Sequence, residues 1–139
     1  MYSFRSGLMY HNNFKSAAVL KAGTPVTVSS DGELSATANG EVPDGILTTD
    51  VKVGEYAGFQ SDGFCATSMI GSATAIEIGD PLVVSDGKLV KHAGSGAIVA
   101  KAFSAVTGDQ SSKTKEDAYP DGMRLPEIQI IKAAGSVLS

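Results

Sequence analysis

The sequence predicts an all-β protein: a small β-barrel built from two pseudo-repeated hairpin units, with an extended N-terminal arm. Three observations predict this fold. The 139 residues include 16 glycines and 5 prolines, which leave little room for long helices. Asp-Gly and Asn-Gly pairs, which are typical of tight hairpin turns, recur between short apolar runs. Several of those runs alternate apolar and polar residues with the period of a β-strand.

The predicted elements begin with an N-terminal arm over residues 1–15, which leads through residues 17–20 into a single barrel domain spanning 16–139. Large apolar side chains crowd this arm among polar ones. A terminus of this kind either packs on its own barrel or docks on a partner. We predict docking, with the arm loose in the free protein and fixed by strand addition to a neighbouring sheet. The residues predicted to contact a partner or a neighbouring subunit are Tyr2, Phe4, Arg5, Leu8, Met9, Tyr10 and Phe14.

The strands that follow are separated by six turn pairs, each expected to form a type I′ hairpin turn. The turn pairs are Asp31-Gly32, Asn39-Gly40, Asp44-Gly45, Asp62-Gly63, Asp86-Gly87 and Asp121-Gly122. Alternation or a continuous apolar run predicts strands over residues 25–29, 74–78, 82–84 and 127–130. Residues 98–107 are long enough for a helix, but flanking glycines favour a strand.

Two segments of the chain repeat each other. Residues 22–34 match residues 78–89 with one deletion, and a weaker likeness relates residues 45–47 to residues 100–102. The strongest matches are Gly23 with Gly79, Pro25 with Pro81, Asp31-Gly32 with Asp86-Gly87 and Leu34 with Leu89. Units of about 22–63 and 78–109 are too few for a solenoid and predict one pseudo-symmetric barrel. The polar run over residues 109–125 is predicted to be an exposed loop.

Composition and motifs exclude several functions. The net charge of −4 argues against a protein that mainly binds nucleic acid. The lone Cys65 excludes a disulfide framework and a cysteine-based zinc site, and it is interpreted as a buried small side chain. No segment reaches the roughly 18 apolar residues of a membrane span, and the N-terminus lacks a signal-peptide core. We expect a cytoplasmically made protein that is soluble or bound into an assembly.

No arrangement of residues predicts catalysis. His92 and Ser95 lie close in sequence, but there is no nucleophile elbow, and residues within one turn rarely align productively. The acidic residues mostly precede glycines and are interpreted as turn formers. Calcium-loop and phosphate-loop motifs are absent from the sequence. We therefore expect no enzymatic activity, no cofactor, no metal and no small-molecule substrate.

The order of several short motifs resembles a known family. The motifs are Ala-Gly-Thr-Pro-Val, an Asp-Gly turn, Pro-Asp-Gly-Ile-Leu, Val-Gly-Glu-Tyr-Ala-Gly-Phe and Ile-Gly-Asp-Pro-Leu-Val-Val-Ser-Asp-Gly-Lys-Leu-Val. Between Phe14 and Lys132 the chain resembles tailed-phage capsid decoration (head cement) proteins. The resemblance implies a structural virion protein with a small β-barrel or β-tulip fold, commonly a homotrimer, on the outer surface of the capsid. The arm residues named above would then contact the capsid or a neighbouring subunit. Its partner would be the major capsid protein, whose neighbouring subunits it clamps against the pressure of packaged DNA without contacting nucleic acid.

Two other classes of function stay open. One is a tail, fibre or spike accessory β-module that binds a receptor or another structural protein. Such modules usually carry aromatic residues on exposed loops, whereas this chain has no Trp and its predicted loop holds only Tyr119. The other class is a small β-barrel hydrolase, which the missing nucleophile and base disfavour.

Overall fold

The computed structural model describes residues 1–71, 73–112 and 125–131, and within these ranges it contains strands and no helix. The all-β prediction is therefore confirmed. The strands are β1 Tyr2–Ser6, β2 Met9–Ser16, β3 Pro25–Val28, β4 Glu33–Ala36, β5 Gly45–Leu47, β6 Tyr56–Gln60, β7 Gly63–Thr67, β8 Pro81–Ser85, β9 Lys88–Lys91, β10 Ala100–Ala102 and β11 Glu127–Ile130.

These strands form two sheets. Five of them close into a barrel in the order β2-β4-β3-β5-β6, because β2 pairs in parallel with β4 and antiparallel with β6. The other six form a sheet in the order β1-β7-β11-β10-β8-β9. An isolated parallel bridge from Ile70 to Leu89 links the segment after β7 to β9. This bridge is equivalent to the parallel β2–β4 pairing that closes the barrel, so the six-stranded sheet is partly closed in the same way.

The internal repeat extends over five strands in each unit, so that β2–β6 correspond to β7–β11. The predicted match of residues 45–47 with residues 100–102 is confirmed by equivalent pairing with β3 and β8. The equivalent pairs are Pro25–Ile46 with Pro81–Lys101, Val26–Gly45 with Leu82–Ala100, and Leu20–Val51 with Ile76–Val106. The structural units run from 9 to 60 and from 63 to 130, and so are longer than the predicted ones. The sequence likeness is strongest around the hairpin, where turn geometry restricts the residue types.

Each unit encloses its own hydrophobic core. The closed barrel buries Leu20, Val26, Leu34, Leu47, Val51, Ala57 and Phe59. The six-stranded sheet packs around Cys65, Ile70, Ile76, Leu82, Val84, Leu89, Val99, Ala100, Ala102, Val106 and Ile128. Ile46 of β5 belongs to this second cluster although its strand lies in the closed barrel. The two cores therefore stabilise one another through β5.

The structure corrects the interpretation of residues 1–15 as a loose arm outside the barrel. This segment forms β1, which pairs with β7, and most of β2, which closes the barrel. The predicted boundary at residue 16 falls inside β2. A Cβ on Gly58 of β6 would overlap the carbonyl oxygen of Tyr10, so the two strands approach as closely as only glycine allows. Both strands of this segment pair with other strands of the same chain, so the segment is ordered without a partner chain.

The turn predictions hold only in part. Asp86 and Gly87 have φ values of 52° and 75° and join β8 to β9, as a type I′ turn requires. At the other described pairs only the glycine has a positive φ, or, at Gly45, neither residue does. Asp121-Gly122 and most of the predicted loop lie outside the described residues. The predicted strand over 74–78 is reduced to one bridge at Ile76, and Ile78 is exposed because no neighbouring strand continues the pairing.

Candidate interface surface

The predicted contact residues on β1 differ in orientation. Tyr2 is half-buried, and its hydroxyl contacts the side-chain oxygen of Gln60. Burial raises the pKa of this phenol above its usual range. Phe4 is 45% exposed. Arg5 lies at the surface, where its Nε donates to Glu127 Oε1 at 2.7 Å. Phe4 and Arg5 are therefore available to a partner, whereas Tyr2 mainly anchors β1.

The predicted residues around β2 divide in the same way. Leu8, between β1 and β2, is 53% exposed, and its N–H donates to Asp62 Oδ1 at 2.7 Å. Met9 is half-buried, and its sulfur lies 3.5 Å from the Tyr2 hydroxyl. Tyr10 is 43% exposed. Phe14 is half-buried against the core of the closed barrel. Leu8 and Tyr10 thus join Phe4 and Arg5 at the surface, while Met9 and Phe14 join Tyr2 in packing.

Three aromatic rings meet beside the core of the closed barrel. The Tyr10 ring lies 5.1 Å from that of Phe59 and 6.2 Å from that of Phe14, centroid to centroid. Phe14 stacks on Phe59 at 5.4 Å. Tyr10 is therefore an exposed side chain on a rigid aromatic base. Contacts of this kind bind partners at low conformational cost, because their rotamers are restricted before binding.

A buried amide that the sequence did not reveal fixes the strand connections. Gln60, the last residue of β6, is fully buried. Its Nε2 lies 2.9, 2.8 and 3.0 Å from the carbonyl oxygens of Ser6, Asp62 and Phe64. The β1–β2 connection is thereby tied to the β6–β7 connection. A glutamine before a Ser-Asp-Gly turn resembles any exposed polar residue, so no sequence signal singles it out.

A second exposed aromatic surface lies on the outer face of the six-stranded sheet. Phe64 and Phe103 are each 39% exposed, and their rings contact edge to face at 5.4 Å. The ammonium of Lys101 lies 5.5 Å from the Phe103 ring centroid. Alternation along β7 turns Phe64 outward and Cys65 into the core. The sequence analysis missed this surface, because Phe64 of β7 and Phe103, which follows β10, are about forty residues apart and come together only because β11 joins the two strands.

An open groove of about 520 Å³ lies beside the point where the two units' equivalent loops meet. Gly40 donates its N–H to Val84 O at 2.9 Å and accepts from the Ala97 N–H at 3.0 Å. Asn39, Lys91 and Ser95 are among the groove's polar lining residues.

The sequence analysis considered His92 for catalysis and interpreted Cys65 as a buried small side chain. His92 is half-buried, and its main-chain N–H donates to Pro81 O at 2.9 Å. Burial raises the pKa of the Cys65 thiol to about 12. In the part of the chain that the structure describes, no group of His, Cys, Asp or Glu is placed to hold a metal ion. No helix there is long and apolar enough to span a membrane.

Comparison with known proteins adds a structural relative. No family model and no curated protein matches the chain. A solved structure, the head fiber gp8.5 N base in bacteriophage phi29, is similar with a TM-score of 0.64. The two chains share a fold. Their identity is 17%, and the similarity covers 89% of this chain and 95% of the phi29 chain. The likeness therefore extends over both units of the repeat and not over one barrel alone.

Proposed function

We propose that this chain is a structural virion protein that binds the outside of an assembled phage head and stabilises contacts between major capsid subunits. The observation that carries the proposal is the fold shared with the phi29 head fiber base over 89% of this chain. The ordered motifs that resemble capsid decoration proteins support the same class of function. The role is mechanical, with no catalytic step, cofactor, membrane or nucleic-acid partner.

The surface proposed to contact the capsid is the exposed part of the first ten residues. Leu8 and Tyr10 are half-exposed apolar side chains held on ordered backbone. The Leu8 N–H is bonded to Asp62, and the Tyr10 ring rests on Phe59. Side chains that are already ordered lose little entropy on binding, and a few such anchors carry most of the energy of an interface. The proposed contact surface is therefore formed before binding, and docking does not require a loose arm to become ordered.

Point substitutions test this proposal, because deleting residues 1–15 would remove β1 and open the closed barrel. The recombinant chain is mixed with empty heads of the phage whose genome encodes it, and bound protein is measured by co-sedimentation. We expect Leu8→Ser to weaken binding about tenfold or more, as loss of a central apolar anchor does. Val53→Ser and Ile78→Ser are matched controls, since both residues are 67% exposed and lie elsewhere.

Negative-stain microscopy of the same mixtures locates the bound protein, which we expect on the outer surface of the heads. Failure of the unaltered chain to bind would refute the capsid role. Equal binding by Leu8→Ser and both controls would refute the assignment of the contact surface to the first ten residues, while leaving the capsid-binding role intact. The homotrimer implied by the family resemblance is part of this proposal, and its threefold mass is measured by sedimentation of the unbound chain.

A second candidate is the base module of a head fibre, which the name of the phi29 relative specifically favours. In that case the chain would connect a projecting fibre to the head and not clamp capsid subunits. Mass spectrometry of purified virions distinguishes the two functions. A fibre base predicts that these residues occur in, or remain bound to, a longer fibre polypeptide, whereas a decoration protein occurs as a separate chain in many copies.

A further inference from the structure

We propose that a bulge in β2 determines which part of the head surface this chain binds, through hydrogen bonds from three polar side chains beside Tyr10. The bulge consists of His11, Asn12 and Asn13 and is called the β2 bulge below. The inference rests on the capsid-binding role proposed above and extends the contact beyond the first ten residues. The partner is an uncharged, hydrogen-bonding part of the head surface.

The β2 bulge adds residues to one strand of an antiparallel pair. Tyr10 pairs with Phe59, and Phe14 pairs with Ala57. All three bulge residues therefore lie opposite Gly58, where a regular ladder has one residue. Because two extra residues preserve the alternation of a strand, Tyr10 and Phe14 remain on the same face, and both rings contact Phe59. The insertion changes what β2 exposes and leaves its aromatic packing in place.

The internal repeat indicates that the fold does not require this bulge. β7 is the equivalent of β2, and it pairs with β11 as β2 pairs with β6. Residues 63–66 of β7 meet residues 127–130 of β11 one to one, without a register shift. The same strand is therefore built without extra residues in the second unit. Bulges redirect side chains and are over-represented beside functional sites, which is the role that remains for this one.

The bulge has an unusual backbone conformation at its centre. Asn12 has a φ of 46°, in the left-handed region that residues other than glycine rarely adopt. The other non-glycine residue with a positive φ in the described ranges is Asp86, which belongs to the β8–β9 turn. Asn12 lies within a strand instead, so no hairpin turn accounts for its conformation. Strained residues of this kind cluster at binding sites, where the surrounding structure maintains them.

The side chains of the β2 bulge are uncharged donors and acceptors at the surface. All three are exposed, and within the described part of the chain none of them forms a side-chain hydrogen bond. Between Leu8 and Phe14 the chain has no Asp, Glu, Lys or Arg. An asparagine amide offers both donors and an acceptor, which match the N–H and C=O groups of a main chain.

Tyr10 completes this surface. Its half-exposed ring is held on Phe59 and supplies apolar area beside the amides. Antibody binding loops use Tyr and Asn in the same combination, because the ring is rigid and the amide adapts its hydrogen bonds. The partner that fits is therefore a neutral protein surface with exposed main-chain groups.

Deleting Asn12 and Asn13 tests the proposal, because it makes β2 as regular as β7. His11 then lies opposite Gly58, and the residues on either side of the bulge keep their partners. In co-sedimentation with empty heads of the phage whose genome encodes the chain, we expect this variant to bind about tenfold more weakly or less. Its unfolding midpoint in urea should equal or exceed that of the unaltered chain, because the left-handed residue is gone.

A double substitution keeps the proposal testable if the shortened strand does not fold. Asn12→Gly retains the left-handed conformation, which suits glycine, and Asn13→Ala removes the second amide. Together they should weaken head binding about tenfold and leave urea unfolding unchanged. Ser35→Ala is the matched control, since Ser35 is an exposed polar residue on β4 of the same barrel, and its binding should not change.

Salt distinguishes a neutral partner surface from a charged one. Contacts between exposed charges weaken as salt is added, whereas hydrogen bonds between neutral groups depend little on salt. The factor by which the double substitution weakens head binding should therefore be the same at low and at high salt. A factor that disappears at high salt would overturn the assignment to a neutral surface.

The remaining outcomes separate this inference from the proposed function. Equal head binding by the double variant and the unaltered chain would overturn the role of the β2 bulge and leave the capsid role intact. A lower urea midpoint in the double variant would show that the bulge serves the fold instead. A lower sedimentation mass of the unbound double variant would assign the bulge to contacts between copies. Failure of the unaltered chain to bind heads would refute the capsid role, and this inference with it.

Discussion

Replacing Gln60 with leucine tests whether one buried amide holds the two units of the fold together. The substitution keeps roughly the same volume and removes both amide N–H groups. The carbonyl oxygens of Ser6, Asp62 and Phe64 lie within 3.0 Å of that nitrogen and would lose this donor. The Tyr2 hydroxyl would also lose its amide partner and keep only the contact with Met9 at 3.5 Å.

The expected cost follows from the number of donors removed. Leaving a buried polar group without its partner costs about 1–3 kcal/mol. Two lost N–H groups therefore predict a decrease of about 2–6 kcal/mol in the free energy of unfolding, a large part of the roughly 5–15 kcal/mol of a typical domain. With a urea m-value of about 2 kcal/mol/M, the unfolding midpoint should fall by roughly 1–3 M.

The internal repeat provides the matched control. Gln129 of β11 is the equivalent of Gln60, since Gln60 pairs with Ile46 and Gln129 pairs with Lys101 at the corresponding position. Gln129 is only half-buried. Gln129→Leu should therefore change stability by no more than about 0.5 kcal/mol. If Gln60→Leu unfolded at the same urea concentration as Gln129→Leu, the proposed structural role of the Gln60 amide would be wrong.

Two further predictions concern packing and charge. Gly58→Ala should lower the free energy of unfolding by about 3 kcal/mol, because the added Cβ would overlap the Tyr10 carbonyl. If the variant unfolded at the same urea concentration as the unaltered chain, the close approach of β2 and β6 would be wrong. Burial raises the pKa of Asp109, but the hydrogen bonds from Lys88 and Ser111, together with the charge of Lys88, outweigh this effect and lower the pKa to about 2. Because this folded value is below the unfolded one of about 3.9, the stabilisation is present above pH 4 and lost as the pH falls toward 2. The pair is only partly shielded from solvent, so we expect it to contribute less than about 1 kcal/mol to the free energy of unfolding. In Lys88→Met this acid-dependent contribution should be smaller, and an unchanged pH dependence of unfolding in that variant would contradict the prediction.

Local sequence determined the fold class and the core of each repeat unit. Turn residues and alternating strands act between near neighbours, so Asp86-Gly87 and the alternation of Glu127–Ile130 predict a hairpin and a strand without knowledge of the rest. The match between residues 45–47 and residues 100–102 also predicted equivalent strands. Similar local sequences form the β3–β4 and β8–β9 hairpins, and each hairpin pairs with an equivalent third strand.

Only the tertiary structure decided the environment of the first fifteen residues and of the candidate interface. Tyr2 pairs with Thr67, and the Gln60 amide reaches Ser6, so the order of this segment depends on partners more than fifty residues away. The apolar character of the segment fitted packing and docking equally well. Strand pairing at that distance depends on main-chain hydrogen bonds, which are common to all residue types and leave little trace in the sequence. Local patterns therefore predicted the fold class, whereas only the tertiary structure showed that β1 pairs with β7.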